Sequence, residues 1–210
     1  MWTMISEWLG DIVSPERCAA CDEHVKPRRI FCPPCAMTLE ARMNDATAAP
    51  YRYGGALARA IVRFKYEGRS DLARPLGSLM LRAAPMFDPL GIDLVVPVPL
   101  HPVRLADRGF NQAALLAAPL ARALGAKHEP RALLRIRDTS RQADLDRTSR
   151  LTNVSFAFAA RDPEIVRDKR VLLVDDVRTT GSTLRACAAA LTSARAGFVH
   201  AIALAFAEDF

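Results

Sequence analysis

Four aliphatic residues, Val171, Leu172, Leu173 and Val174, run directly into Asp175 and Asp176, and the turn Val177-Arg178-Thr179-Thr180-Gly181-Ser182-Thr183 follows at once. An unbroken aliphatic run suits a strand buried on both faces of a parallel sheet, because such a strand has no solvent side to carry polar residues. The run constrains the chain to an open α/β sheet and delivers the two carboxylates to a strand's carboxyl end, where such sheets bind ligands. Leu184-Arg185-Ala186-Cys187-Ala188-Ala189-Ala190-Leu191 predicts a helix. The turn thus lies at a helix N-terminus, where unpaired N–H groups and the macrodipole favour an anion. Gly181 lets the backbone approach that anion with no Cβ in the way, and the hydroxyls of Thr179, Thr180, Ser182 and Thr183 add donors. A phosphate fits the turn, with Asp175 and Asp176 beside it to hold sugar hydroxyls or a magnesium ion. A strand end followed by an ordinary helix cap is the simpler alternative, but it gives paired acids no packing reason to stand there. The Gly-Lys-Ser/Thr of a Walker loop is absent.

The cysteines are the second constraint. Cys18-Ala19-Ala20-Cys21 and Cys32-Pro33-Pro34-Cys35 form two Cys-x-x-Cys pairs separated by ten residues. Four thiolates so spaced suit one tetrahedral ion, the geometry of a structural zinc site, with His24 as a conceivable substitute ligand. Redox-active pairs or unrelated core cysteines are the alternative. With all four positions filled by sulfur no site is open to water, so the expected role is folding and partner recognition, not catalysis. Cys187, on the helix after the turn, is expected in the core.

At 210 residues the chain can hold one large core and a small appendage, divided near residue 45: a helix and four-cysteine module over 1–44, then an α/β domain over 45–210. A net charge of +6 favours polyanionic partners, nucleic acid or phosphorylated metabolites alike. No apolar run is long enough to cross a bilayer, and residues 1–13 carry Glu7 and Asp11 with helical spacing of Trp2, Ile5, Leu9 and Ile12, which predicts a packing helix rather than a secretory signal. The chain is accordingly expected in the cytoplasm, where reduced thiols bind metal.

Between these landmarks the patterning predicts a short helix over 36–43, a linker over 44–50, a brief strand at Tyr51, and a helix through Leu57, Ile61 and Phe64 that stops at Gly68. Leu72, Leu76, Leu79 and Met80 predict another helix, started or kinked near Pro75. Residues 94–100 predict a strand whose prolines mark its end, and 113–124 a helix. The basic stretch between them contains His101, Arg104 and Arg108, and guanidinium forks match phosphate oxygens, although two loop arginines are also an ordinary solvated surface. Residues 133–136 and 198–205 predict strands, the latter central, and the hydrophilic stretch 137–153 predicts a mobile lid.

The acidic pair and the threonine-glycine turn resemble the signature of type I phosphoribosyltransferases. The resemblance implies that Asp175 and Asp176 contact the ribose of phosphoribosyl pyrophosphate (PRPP), that Thr179, Thr180, Gly181, Ser182 and Thr183 bind its 5′-phosphate, and that Arg104 and Arg108 contact pyrophosphate. Over nearly its whole length the chain resembles the ComF family, associated with DNA uptake in natural transformation. The matching blocks are the four cysteines, Phe64-Lys65-Tyr66 with Gly68, Val96-Pro97-Val98-Pro99-Leu100, Arg108-Gly109-Phe110-Asn111-Gln112, Gln142 with Leu145, Arg150 with Asn153-Val154, and Val174-Asp175-Asp176 with Thr179-Thr180-Gly181. The family implies a Rossmann-like parallel sheet flanked by helices, a zinc knuckle in front of it (Cys18, Cys21, Cys32, Cys35), PRPP bound with Mg2+, and a role in handling single-stranded DNA with competence-machinery proteins.

Two functions follow as expectations. The first is transfer of phosphoribosyl from PRPP to a nitrogen nucleophile. Purine-salvage relatives carry an aspartate just before the position of Thr180, whereas this chain has Thr179, which cannot act as a general base near neutral pH. The second is a non-catalytic PRPP- or single-stranded-DNA-binding accessory protein, with Arg59, Arg63, Lys65, Arg104, Arg108 and Arg141 along a backbone and Tyr51, Tyr53, Tyr66 and Phe110 as stacking surfaces.

Overall fold

The computed structural model describes residues 17–42, 49–136 and 157–208. The helix expected over 1–13, most of the linker, the lid over 137–153, Arg141 and the blocks containing Gln142, Leu145, Arg150, Asn153 and Val154 lie outside the described residues.

In chain order the elements are α1 (Pro33–Ala36), β1 (Tyr51–Arg52), α2 (Gly55–Tyr66), a 3-10 turn (Ser70–Leu72), α3 (Ala73–Met80), β2 (Leu94–Pro97), α4 (Pro102–Arg108), α5 (Gln112–Ala123), β3 (Lys127–His128), β4 (Leu133–Arg135), β5 (Phe158–Ala160), α6 (Pro163–Val166), β6 (Arg170–Arg178), α7 (Ser182–Ser193) and β7 (Phe198–Phe206). Five strands form a parallel sheet in the order β1-β7-β6-β2-β3. β4 and β5 pair as a separate antiparallel ribbon.

The aliphatic run of β6 is explained by the two layers that cover it. Val171 and Leu173 share a buried cluster with Leu184, Cys187 and Leu191 of α7 and with Leu133 and Phe158 of the ribbon. Leu172 and Val174 point the other way, into a cluster with Leu57, Ile61 and Phe64 of α2, Leu76 and Met80 of α3, and Leu116 and Leu120 of α5. Cys18, Ala19 and Phe31 join this second cluster, so the cysteine module packs on the α2 side of the sheet.

Three local expectations are corrected. The helix expected over 36–43 does not form; the helical turn α1 lies ahead of it and ends at Ala36, and the backbone after it pairs elsewhere: Arg42 N–H donates to Pro50 O at 2.8 Å and Arg52 N–H to Glu40 O at 2.9 Å. Strand β2 stops at Pro97, opposite Val174, with one further backbone bond from the Val98 N–H to Val174 O. Strand β6 runs four residues beyond Val174, to Arg178, because β7 continues beside it, with Asp175 opposite Ala203 and Val177 opposite Ala205. α3 begins just before Pro75, which occupies the first turn, where its lack of an N–H costs nothing.

Candidate functional site

β2 and β6 are neighbours whose connections diverge: β2 leads through α4 and α5 to β3 on its outer side, and β6 leads through α7 to β7 on the other. Divergence of this kind opens a crevice beyond the carboxyl ends of the two strands. Asp175 and Asp176 sit there. Pro97 is opposite Val174, and after the Val98 N–H donates to Val174 O at 2.8 Å the β2 chain leaves, freeing that flank of the acidic pair.

As successive strand residues the two carboxylates project to opposite faces. Asp176 is 6% exposed and lies on the α2 side, where Lys65 Nζ approaches its Oδ1 at 2.7 Å. Asp175 lies toward α7, where its charge, after burial, helps push the Cys187 thiol far up. The Asp176 N–H donates to Asp175 Oδ1 at 2.8 Å. Even so, burial, followed by the neighbouring Asp176 charge, pushes the Asp175 carboxyl up to about 7. The charges of Lys65 and then of Arg135, on β4, oppose that rise.

The hydroxyl turn closes onto α7. Gly181 is its N-cap residue, at φ +73°, a left-handed conformation that glycine adopts freely. Thr180 Oγ1 donates to Ser182 Oγ at 3.2 Å and accepts the Ser182 N–H at 3.3 Å, while Arg185 Nη1 donates to Thr180 O at 2.8 Å. Thr179 and Thr180 are exposed, Ser182 and Thr183 half-buried. Acids, hydroxyls and helix N-terminus are therefore consecutive, as the β6-turn-α7 order requires.

Arg104 and Arg108 lie one turn apart on α4, which starts at Pro102 after β2. Arg108 Nη1 donates to Gln112 Oε1 at 3.1 Å, and its guanidinium covers the Tyr66 ring at 4.9 Å. Since Tyr66 follows Lys65, Arg108 is joined to the acidic site through α2. Phe64 and Phe110 reinforce the same contact, with ring centroids 5.4 Å apart. Arg104 has no hydrogen bond or ion pair among the described residues.

The four cysteine sulfurs lie within 4.8 Å of one another, and Cys21 Sγ is 3.7 Å from both Cys32 Sγ and Cys35 Sγ. A tetrahedral ion with metal–sulfur bonds near 2.3 Å requires sulfurs about 3.8 Å apart, so the cluster is already spaced to hold one metal ion. His24 is not part of it. Burial works against the Cys18 thiolate, but N–H groups of Cys32 and Ala20 bring that thiol down to about 7. Cys21 accepts from the Glu23 N–H yet is pushed up to about 12 by burial and the neighbouring sulfurs. Four thiolates packed this closely need a cation to coexist.

Lys65 is a partner of the acidic pair that sequence reasoning did not foresee; it was marked only as part of the Phe64-Lys65-Tyr66 block and as one of the cations along a nucleic-acid backbone. The contacts of α2 also redistribute the cations expected to track nucleic acid. Arg63 is taken up by the Asp22 carboxylate, by Glu67 at 3.0 Å and by Ala19 O at 3.3 Å. Tyr51 is buried, Tyr53 and Phe110 are half-buried, and Tyr66 is exposed beneath Arg108.

Residues 111–209 match the family described as the phosphoribosyl transferase domain. DNA utilization protein YhgH of Salmonella typhi is 32% identical over 184 residues, covering 80% of each chain. Competence protein F of Haemophilus influenzae is 36% identical over 133 residues, covering 61% of this chain and 58% of that protein. A solved structure of glutamine PRPP amidotransferase from B. subtilis shares 23% identity at a TM-score of 0.44; it covers 67% of this chain, which spans 30% of that one. With four clustered cysteines ahead of a phosphoribosyltransferase-like sheet, and this identity sustained over four fifths of a relative, the chain belongs to the ComF family.

Proposed function

We propose that the chain binds PRPP with magnesium in the crevice above β2 and β6 and transfers its phosphoribosyl group to a nitrogen nucleophile. The observation that carries this reading is the unbroken succession of Asp175, Asp176, the hydroxyl turn and the N-terminus of α7 at the strand divergence. The N–H groups and hydroxyls of Thr179, Thr180, Gly181, Ser182 and Thr183 would take the 5′-phosphate. Asp175 and Asp176 would hold the ribose hydroxyls and stabilise the positive charge that develops as the bond from C1′ to the pyrophosphate oxygen breaks and a C1′–N bond forms. Arg104 and Arg108 would hold the departing pyrophosphate. Magnesium would neutralise part of the pyrophosphate charge. A Zn2+ ion on Cys18, Cys21, Cys32 and Cys35 would have a structural role, and the division at residue 45 would separate that module from the transferase-like domain.

The names of the relatives support a place in DNA utilisation or competence for this chain. Single-stranded DNA and competence-machinery proteins would be its partners in that role. A non-catalytic binding role is favoured by Thr179, which leaves the turn without a general base. Titration calorimetry with PRPP and magnesium tests the site. Binding by the parent that is lost in Asp175→Asn/Asp176→Asn supports it, and absence of binding by the parent rejects it. Pyrophosphate release across a panel of amines and nucleobases then separates transferase from binding module.

A further inference from the structure

α2 touches both the cysteine cluster, through Arg59, and the acidic pair, through Lys65, and the cysteine module grips it along its length. At its start, Thr38 Oγ1 accepts the Ala56 N–H at 2.8 Å and donates to Cys35 O at 2.8 Å. Gly55 is needed for this approach, since a Cβ there would stand 2.5 Å from Thr38 O. One turn on, Arg59 Nη2 donates to Cys35 Sγ at 3.5 Å. In the last turn Arg63 reaches the Asp22 carboxylate, whose other oxygen accepts Arg69 Nη1 at 2.9 Å. Asp22 thus clasps α2 on both sides of the stop at Gly68.

The same turn carries Lys65. At about 100° per residue, Arg63 and Lys65 project to opposite sides of the helix, with the buried Phe64 between them. Apolar packing of Leu57, Ile61 and Phe64 seats the helix on the sheet but is non-directional, whereas the charged clasp fixes where the last turn sits along and around its axis. A lysine side chain has four rotatable bonds and enters one geometry only if its backbone is held.

We infer that Asp22 and Arg63 are positioning residues for Lys65: the clasp between the cysteine module and α2 holds the Lys65 ammonium at Asp176 and thereby sets the affinity of the acidic site for its ligand. The statement about affinity rests on the PRPP reading above; the statement about Lys65 does not.

The experiment has two readouts on the parent, Arg63→Ala and Arg63→Lys, each checked for metal content. The first is the rate of Lys65 acylation by an amine-reactive ester, followed by peptide mass spectrometry, with exposed Lys127 as one reference and, in a parallel reaction with a thiol-reactive maleimide, buried Cys187 as the other. Arg63→Ala is expected to label Lys65 at least about fivefold faster with both references unchanged, and Arg63→Lys to fall between. Equal Lys65 rates in parent and Arg63→Ala overturn the positioning, and so does a rise shared by Cys187, which marks general loosening. If Arg63→Ala does not fold, Asp22→Asn, which keeps the shape and removes the charge, takes its place. The second readout is PRPP titration in a cycle with Lys65→Met. Arg63→Ala is expected to weaken PRPP about fivefold in the parent background and less than about twofold in the Lys65→Met background. Equal weakening in both overturns the coupling. Faster Lys65 labelling without PRPP binding by any variant sustains the positioning and rejects the ligand.

Discussion

Lys65 Nζ stands 2.7 Å from Asp176 Oδ1, tying the last turn of a helix near the cysteine module to the acidic end of the central strand. Both side chains are largely withdrawn from water, at 20% and 9% exposure, so the pair compensates a charge that β6 would otherwise bury alone. Lys65→Met is expected to cost about 1–3 kcal/mol in denaturant unfolding, because it strands the Asp176 carboxylate. Lys65→Met/Asp176→Asn, which removes both charges, should recover most of that loss. A double variant no more stable than Lys65→Met contradicts this.

Asp175 predicts a pH dependence of stability. Its carboxyl rises from 3.8 to about 7 in the fold, chiefly through burial and then through Asp176. Between those values the folded chain retains a proton that the unfolded chain has released, so stability falls as pH rises through the window, and above it the penalty is complete. Asp175→Asn carries no such charge. It should melt a few degrees above the parent near pH 8, and the gain should fade as pH drops toward about 4. Lower stability of the variant near pH 8 contradicts the assignment. Stabilisation together with lost PRPP binding is the trade expected of a functional group.

Gly181 ties conformation to anion binding. At φ +73°, an alanine would be strained, and its Cβ would meet Arg178 Nε at 3.0 Å. Gly181→Ala should cost about 1–2 kcal/mol in stability and weaken phosphate binding at the turn by a larger factor than it weakens any ligand held by Asp176 alone. Thermal melts and inorganic phosphate titration read the two effects, and unchanged phosphate affinity removes the turn from the site.

The cysteine cluster should copurify with about one zinc ion per chain, measured by elemental mass spectrometry. Chelation or Cys32→Ser should release it and lower Tm by several degrees, since Cys18, Ala19 and Phe31 belong to the same buried cluster as α2. A metal-free chain with an unchanged melting curve contradicts a structural ion.

The features legible before the fold was known are those whose cause is local. The Val171–Val174 run demands burial on both faces wherever it lies, the Asp-Asp-turn-helix order is set by chain connectivity, and four cysteines two by two bring their sulfurs together over a short stretch. The parallel sheet flanked by helices follows from the same logic, as does the burial of Cys187. Tertiary structure decided the rest, because partners remote in sequence settled it. The backbone after Ala36 looked helical by its own pattern but found hydrogen bonds with Pro50 and with Arg52 of β1. β6 lengthened past its acids because β7 ran alongside. Arg59, Arg63 and Lys65 were three similar cations on one amphipathic stretch until packing gave one to a sulfur, one to Asp22 and one to Asp176. Helical periodicity specifies which way a residue faces its own helix axis; only the assembled core specifies what waits on the other side.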